Sequence, residues 1–273
     1  MSYILEHRGD NIWRGHFTLF PEEVAVHGVS GRLGGVSKAP YDSLNLGLHV
    51  QDDAENVWEN RQRFFQSLGL DAEKLVTPEQ VHGDHIERVT RADAGRGAKE
   101  YGDCIPQSDA LITNEPGLPL MLCFADCTPI FLLDPKHRAA GLVHGGWKGT
   151  AARLVEKTVL RMGEEFGTKP GDVLAGIGPA IGPCCYEIGR ETEERFREAF
   201  PGHEEIFTPR DEATGKVHVN LWEANAIALR DAGVPDTQID RAETCTACAH
   251  KWYFSYRADG GRTGRHAAVL ALR

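Results

Sequence analysis

Residues 125–150 of this chain read ADCTPIFLLDPKHRAAGLVHGGWKGT. Two apolar runs, 130–133 and 139–143, are joined by a five-residue segment of the length typical of a hairpin connection. If Leu133 pairs with Ala139, Cys127 lies opposite residue 145, within one residue of His144. Since Pro129 cannot join a regular ladder, the register is open to a slip of one residue. The stretch predicts an antiparallel hairpin that brings a thiol and an imidazole together at one end.

Outward from this hairpin, helices and strands mix without a regular alternation. Helices are predicted over 53–68, 150–166, 190–200 and 220–233, with Asp52 or Asp53, Thr150 and Asn220 as N-caps. Further strands are predicted at 118–124, 173–177, 252–256 and 267–272. Such a mixture is typical of an α+β fold rather than a doubly wound sheet. No linker divides the chain, so we expect a single domain over residues 1–273.

The charge of the chain restricts its partners. A formal net charge of −10 lacks the basic footprint expected of a protein that binds nucleic acid or an anionic membrane. The first residues show no signal-peptide pattern, and no window approaches the roughly 18 continuous apolar residues of a transmembrane helix. These features predict a cytoplasmic protein without nucleic-acid or membrane partners.

Seven cysteines are present, at irregular spacing. An odd number without an export signal argues against a disulfide framework. Cys245 and Cys248 form a C-x-x-C motif, but no second pair at matching spacing follows it in the sequence. The adjacent Cys184 and Cys185 are poorly placed to chelate one tetrahedral ion. Packing is the favoured interpretation of all four.

Cys127 and His144 are the first candidates for metal binding. Cross-strand neighbours stand roughly 4.5–5.5 Å apart at Cβ, a gap that metal–sulfur and metal–nitrogen bonds can bridge. The third ligand is His82, which sits at a glycine turn in QVHG, or its rival His85. One thiolate and two imidazoles suit Zn²⁺ and leave the fourth tetrahedral position open for water or substrate. This pattern favours a catalytic metal site over a structural one.

The segment that follows His144 predicts an anion site. Gly145, Gly146 and Lys148 lie between a strand and a helix N-terminus, where free N–H groups and the helix dipole favour an anion such as phosphate. The alternative is a tight turn with an exposed lysine. A different chemistry is also open, since Cys127 can act as a nucleophile with His144 as its base.

Together these motifs resemble the YfiH/YlmD-type family, also called the laccase-domain or multicopper polyphenol oxidoreductase family. The resemblance covers nearly the whole chain. It rests on HGVS (27–30), RLGGVS (32–37), YDSLNLG (41–47), ENR (59–61), QVHG (80–83), DALIT (109–113), ADC (125–127), HGGWKG (144–149), GPAIGPCCYE (178–187) and FSYR (254–257).

The resemblance implies a single-domain mixed β-sheet sandwich flanked by helices. It implies that His82, Cys127 and His144 bind the metal and form the catalytic centre. The implied substrates are purine nucleosides, with phosphorolysis of adenosine, inosine and methylthioadenosine and deamination of adenosine. We expect Arg61 and Lys148, with Gly145 and Gly146, to bind substrate or phosphate, and Asp126 to orient a ligand.

Two alternatives remain from the sequence. Members of this family have been called copper-dependent polyphenol oxidases, but multicopper oxidation needs several copper centres and the chain has no H-x-H pair. Cu²⁺ is therefore a second candidate ion at the Zn²⁺ site rather than evidence for a laccase. The other alternative is a cysteine or metal hydrolase acting on an amide of a cell-wall precursor.

Overall fold

The computed structural model describes residues 3–9 and 11–273, so residues 1, 2 and 10 of the predicted domain lie outside it. The strands are β1 (Tyr3–His7), β2 (Trp13–Phe17), β3 (Ala25–Ser30), β4 (Ile86–Arg88), β5 (Ala110–Thr113), β6 (Leu120–Phe124), β7 (Thr128–Asp134), β8 (Ala139–Gly145), β9 (Leu174–Ile177), β10 (Glu187–Ile188), β11 (Val217–His218), β12 (Ile239–Arg241) and β13 (His266–Leu272). The helices are α1 (Ala54–Ser67), α2 (Trp147–Ala151), α3 (Leu154–Phe166), α4 (Arg190–Ala199) and α5 (Leu221–Asp231).

Two large sheets form the body of the molecule. One is antiparallel, in the order β1-β2-β3-β13-β6, and the other is mixed, in the order β12-β9-β7-β8-β5-β4. A small two-stranded sheet joins β10 to β11. The predicted α+β class and the β-sheet sandwich flanked by helices are confirmed. The single-domain organisation stays a prediction.

Strand β7 shows how the layers are assembled. Its alternate side chains point to opposite faces, so Phe131 and Leu133 pack between the two sheets while Ile130 and Leu132 pack against the layer of α3 and α5. Helix α1 covers the outer face of the antiparallel sheet, where Phe64 and Phe65 share a cluster with residues of β6 and β13. Because β7 is buried on both faces, its central residues, 130–133, form a continuous apolar run.

The predicted hairpin is formed by β7 and β8, with a register one residue away from the expected one. Leu133 pairs with Ala140 rather than Ala139, and Asp134 joins the ladder opposite Ala139. The carboxylate of Asp134 accepts hydrogen bonds from the backbone N–H groups of Lys136 and His137. This contact tightens the turn to four residues, 135–138, and shifts the register.

Two of the three predicted N-caps are found, but Thr150 lies inside α2, whose N-cap is Gly146. Asp53 caps α1 and Asn220 caps α5, as expected. The predicted helix 150–166 is wrong as one element, because Arg153 adopts left-handed φ and ψ of 57° and 39° and separates α2 from α3. Residues 252–256 form turns rather than the predicted strand. None of the described helices has the length and apolar content to cross a membrane.

Candidate metal centre

The sheet topology brings the predicted ligands to one edge of the mixed sheet. Strand β7 runs antiparallel to β8, and β8 runs antiparallel to β5. The start of β7, the end of β8 and the start of β5 therefore meet. Cys127 immediately precedes β7, His144 lies near the end of β8, and Asp109 immediately precedes β5.

His82, Cys127 and His144 form one cluster whose candidate ligand atoms all lie within 4.8 Å of one another. The Sγ atom of Cys127 is 3.8 Å from Nε2 of His82. The two imidazole rings stand edge to face, with centroids 4.7 Å apart. The rival His85 is exposed and pairs instead with Glu87, at 3.0 Å.

Asp109 orients both histidines, a role that the sequence did not reveal. One of its oxygens lies 2.7 Å from Nδ1 of His144, which leaves Nε2 of that ring to face the cluster. The same carboxylate accepts the backbone N–H groups of Val81, His82 and Gly83, at 3.2, 3.0 and 2.6 Å. These three donors wrap the loop around the carboxylate and hold His82 at a left-handed φ of 58°.

The protonation states follow from these contacts. Burial opposes ionisation of Cys127, but His144 and His82 outweigh it and lower the pKa of the thiol to about 6. Burial likewise disfavours a charged His144, but the Cys127 thiolate and Asp109 raise the pKa of its imidazole to about 9. The hydrogen bond from His144 and the backbone N–H donors outweigh burial and lower the pKa of Asp109. Without an ion, the cluster is a thiolate beside an imidazolium.

The cluster fits a soft divalent metal. A thiolate and two imidazole nitrogens are ligands of borderline-soft ions, and Asp109 is the outer partner that a metal-binding histidine normally has. Gly146 lies against the cluster, where an added Cβ would be 3.1 Å from Cδ2 of His82 and 3.2 Å from Sγ of Cys127. A side chain at position 146 would therefore crowd the ligands.

A cavity of about 410 Å³ opens above the cluster. Its walls carry Phe124, Tyr186 and Tyr256, together with the guanidinium groups of Arg257 and Arg265. Each arginine lies over a tyrosine ring, Arg257 at 5.6 Å from the centroid of Tyr186 and Arg265 at 5.9 Å from that of Tyr256. The cavity therefore combines ring surfaces with positive charge beside the metal ligands. Tyr186, Tyr256 and Arg257 lie inside motifs of the family, whereas nothing in the sequence singled out Arg265.

Arg61 does not reach this cavity. The side chain was predicted at the margin of a helix face, but it is 1% exposed and lies inside the core. Its guanidinium donates to the carbonyl groups of Leu46, Gly97 and Ala98 at 2.9, 2.6 and 2.8 Å. Arg61 therefore ties three backbone segments together, and the cations of the cavity are Arg257 and Arg265 instead.

The residues of the predicted anion site, Gly145, Gly146 and Lys148, do not lie together around one cavity. Lys148 is exposed and lines a different hollow, between α2 and α4, with its ammonium 5.6 Å from the centroid of Trp147. Gly145 is the last residue of β8 and pairs with Thr128, whereas Gly146 adjoins the metal ligands. A substrate-binding role for the two glycines stays a prediction.

Asp126 braces the wall of the cavity rather than a ligand ring. Its carboxylate accepts hydrogen bonds from the hydroxyl of Thr246, at 2.6 Å, and from the backbone N–H of Arg257, at 2.7 Å. Its backbone carbonyl accepts the N–H of Ile181, at 2.9 Å. The residue next to Cys127 thus connects the cluster to two loops that line the cavity.

Comparisons with known proteins show the family of the chain. Residues 26–273 match the family model described as multi-copper polyphenol oxidoreductase laccase. The chain is 41% identical to a purine nucleoside phosphorylase YlmD of Geobacillus stearothermophilus, over 91% of this chain and 90% of that protein. It is 33% identical to an adenosine deaminase RL5 of an unknown prokaryotic organism, over 82% and 85% of the two chains.

A solved structure gives the same result at the level of the fold. The crystal structure of YlmD from Geobacillus stearothermophilus superposes with a TM-score of 0.93 at 38% identity, covering 99% of both chains. The predicted resemblance is confirmed, and the chain belongs to the YfiH/YlmD-type family of laccase-domain proteins.

Proposed function

We propose that this protein is a zinc-dependent purine nucleoside phosphorylase that also deaminates adenosine. The observation that carries the proposal is the three-ligand cluster of His82, Cys127 and His144 at the floor of a cavity lined by aromatic rings and two arginines. The names of the relatives, purine nucleoside phosphorylase and adenosine deaminase, support an enzyme of this kind. The substrates would be adenosine, inosine or methylthioadenosine with inorganic phosphate.

Zinc is the proposed ion and Cu²⁺ the second candidate. One thiolate, two histidines and an open position are a donor set found in catalytic zinc sites. Among the described residues, the second group of candidate ligands consists entirely of thiols. Oxidation of polyphenols through several copper centres would require further histidine clusters. The candidate ligands among the described residues therefore argue against this activity.

The cavity walls suggest how a nucleoside and phosphate are held. A volume of about 410 Å³ lies within the range of small-molecule sites, and the tyrosine rings offer faces on which a purine can stack. Arg257 and Arg265 supply the positive charge and planar donors that phosphate requires. We therefore assign the anion contact to these two arginines in place of Arg61 and Lys148.

Phosphorolysis requires a phosphate oxygen to bond to C1′ of the ribose while the glycosidic C1′–N9 bond breaks and its electron pair leaves with the purine. Arg257 and Arg265 would position the phosphate, and the ring surfaces would position the base for this displacement. In deamination, the oxygen of water adds at C6 and ammonia leaves. A bound metal would supply Lewis acidity for this step. Asp109 would keep the His144 ring fixed in both reactions.

The test uses inosine and phosphate with the purified protein. We expect hypoxanthine and ribose 1-phosphate, and inosine with ammonia when adenosine is supplied, each detected by chromatography. His82→Ala should abolish both activities, whereas the matched variant His85→Ala should retain them because His85 lies outside the cluster. Turnover by wild type that does not exceed that of His82→Ala would overturn the proposal.

One observation favours a second candidate function, a cysteine hydrolase acting on an amide of a cell-wall precursor. The low pKa of Cys127, the adjacent His144 and its partner Asp109 also form the chain of groups that a thiol nucleophile needs. Chelation distinguishes the two functions. Removal of the metal should abolish nucleoside turnover, but it should raise a hydrolase activity by freeing the thiolate.

The location and partners remain as the sequence predicted them. A cytoplasmic location and the absence of nucleic-acid and membrane partners stay predictions, and the partners that we propose are small molecules.

A further inference from the structure

Four cysteines that are far apart in the sequence form a second cluster. Cys184 and Cys185 lie in the loop between β9 and β10, and Cys245 and Cys248 lie in the loop after β12. All four Sγ atoms lie within 4.8 Å of one another. Cys248 is 3.6 Å from Cys184 and 3.4 Å from Cys185, measured between sulfur atoms. The second pair that the C-x-x-C motif lacked in the sequence is supplied by the fold.

The packing interpretation of these cysteines does not hold. A cysteine that serves as a small apolar side chain is normally buried, but Cys184 and Cys248 are exposed and the other two are half-buried. Nor does the adjacency of Cys184 and Cys185 keep their thiols apart. The carbonyl of Gly182 accepts the N–H groups of Cys185 and Tyr186, both at 2.9 Å. The turn formed in this way lets the two thiols converge.

The spacing of the sulfur atoms matches a single tetrahedral ion. Zinc–sulfur bonds of about 2.3 Å place the corners of a regular tetrahedron about 3.8 Å apart. The sulfur separations of 3.4 and 3.6 Å lie near this value and well above the roughly 2.05 Å of a disulfide bond.

The two loops are held in place to present the thiols. Ala180 donates its N–H to the carbonyl of Thr244 at 3.2 Å and accepts the N–H of Thr246 at 3.0 Å. The Sγ atom of Cys245 accepts the N–H of Gly182 at 3.2 Å. Gly182 has no room for a side chain, since a Cβ there would lie 2.7 Å from Cη2 of Trp222 and 3.1 Å from Cβ of Cys245. Hydrogen bonds from backbone N–H groups to sulfur are the outer contacts that stabilise a thiolate ligand.

We propose that Cys184, Cys185, Cys245 and Cys248 bind a second Zn²⁺ ion in a closed structural site. Four thiolates fill the tetrahedral shell and leave no position for substrate. The site ties together the loops that carry the cavity wall, because Arg257 donates to the carbonyl of Cys185 at 3.1 Å and Thr246 donates to Asp126. The ion therefore stabilises the wall of the cavity from outside.

The first experiment counts metal in the full-length protein by mass spectrometry of the elements, after dialysis against metal-free buffer. We expect two zinc ions per chain in wild type and one in Cys245→Ser/Cys248→Ser. His82→Ala/Cys127→Ala should also hold one, since it empties the other cluster. Cys104→Ala, which changes a buried thiol outside both clusters, should keep two.

A second measurement does not depend on the folding of the cysteine variant. X-ray absorption at the zinc edge of His82→Ala/Cys127→Ala should show four sulfur neighbours at about 2.3 Å. Nitrogen or oxygen neighbours in place of sulfur would overturn the proposal, as would a His82→Ala/Cys127→Ala variant that holds no zinc. Alkylation under denaturing, non-reducing conditions counts the free thiols. Two disulfides among these four cysteines would also overturn the proposal.

Discussion

The two thiol clusters of this molecule differ in the number of side chains that they offer and in the elements that carry them. Around Cys127, one thiol and two imidazoles lie at the edge of a sheet, and Asp109 orients the buried His144. Around Cys248, four thiols lie on two surface loops. Three protein ligands leave room for a reactant, whereas four close the coordination shell.

The two clusters also differ in what holds their side chains in place. The ends of two strands buried on both faces place Cys127 and His144, and Asp109 holds the loop of His82, before any ion binds, as a catalytic site requires. The loops of the second cluster are joined by backbone hydrogen bonds around Ala180, but Cys184 and Cys248 lie exposed on them, so the proposed ion adds the cross-link between their thiols. Loss of the first ion should therefore remove activity, and loss of the second should remove stability.

The largest expected effect is that of Cys127→Ala. Removal of a metal ligand should cost more than the roughly 10–100-fold that outer-shell changes cost, so we expect kcat/KM for inosine to fall by more than about a hundredfold. The zinc of the four-cysteine cluster should remain, and the melting temperature should change little. Steady-state kinetics, metal content and thermal unfolding measure these quantities on one preparation. A Cys127→Ala variant that keeps its activity would break the distinction between the two clusters.

The next effect concerns Asp109→Asn. An amide of the same size loses the negative charge that orients His144 and cannot accept the three N–H groups of residues 81–83 equally well. We expect zinc affinity at this site to fall roughly 10–100-fold, measured by competition with a chromophoric chelator. The melting temperature should also fall by a few degrees, because the amide leaves a buried N–H group without a good acceptor. Asp84→Asn is the matched control, since Asp84 pairs with Lys157 at the surface. Equal zinc affinity of Asp109→Asn and wild type would show that Asp109 does not position the ligand.

The sequence predicted Cys127 and His144 as ligands because they adjoin a strong local pattern, whereas the choice of His82 over His85 came only from the resemblance to the family. The hairpin of residues 130–143 is encoded by two apolar runs, so Cys127 and His144 could be brought together without knowledge of the rest of the fold. The register could not be predicted in the same way, because it depends on two hydrogen bonds from backbone N–H groups of the turn to the carboxylate of Asp134. The break at Arg153 likewise has no apolar or glycine signal.

Contacts between distant segments explain the remaining differences. Arg61 looked like a residue at a helix margin, yet it enters the core to meet carbonyl groups up to 37 residues away. Asp109 and His144 are 35 residues apart, and Cys185 and Cys248 are 63 apart. No periodicity in the sequence reports such pairs, so the four-cysteine cluster emerges only once the two loops are placed side by side.

A smaller effect tests the role of Arg265, a cation of the cavity above the metal ligands. Arg265→Gln keeps a polar side chain in the cavity but removes the charge assigned to phosphate. We expect KM for phosphate to rise about tenfold, which corresponds to about 1.4 kcal/mol, with kcat less affected. Initial rates at varied phosphate and saturating inosine measure the change. Arg262→Gln, an exposed neighbour outside the cavity, is the control. An unchanged KM would remove Arg265 from the proposed anion site.

The last effect is on stability rather than on activity, and it concerns the layer beneath the cluster of His82, Cys127 and His144. His266 is fully buried in β13, stacks on Phe124 and meets the ring of Tyr253 edge to face. Within the described part of the chain, neither of its ring nitrogens has a hydrogen-bond partner. Burial, and to a lesser extent Arg265, lowers its pKa from 6.5 to about 3. The unfolded chain therefore binds one more proton than the folded chain between these two values, and the free energy of unfolding falls as the pH decreases through that window.

Substitution of His266 by phenylalanine removes this proton while keeping a buried ring. Between about pH 8 and about pH 5, we expect the loss of unfolding free energy in His266→Phe to be about 2 kcal/mol smaller than in wild type. Urea unfolding at both pH values measures the difference. Part of the pH dependence should persist in the variant, because burial also lowers the pKa of His27 to about 3. If the two proteins lose stability equally, His266 is protonated without cost in the folded state, and the layer that supports His144 through Phe124 is open to water rather than dry.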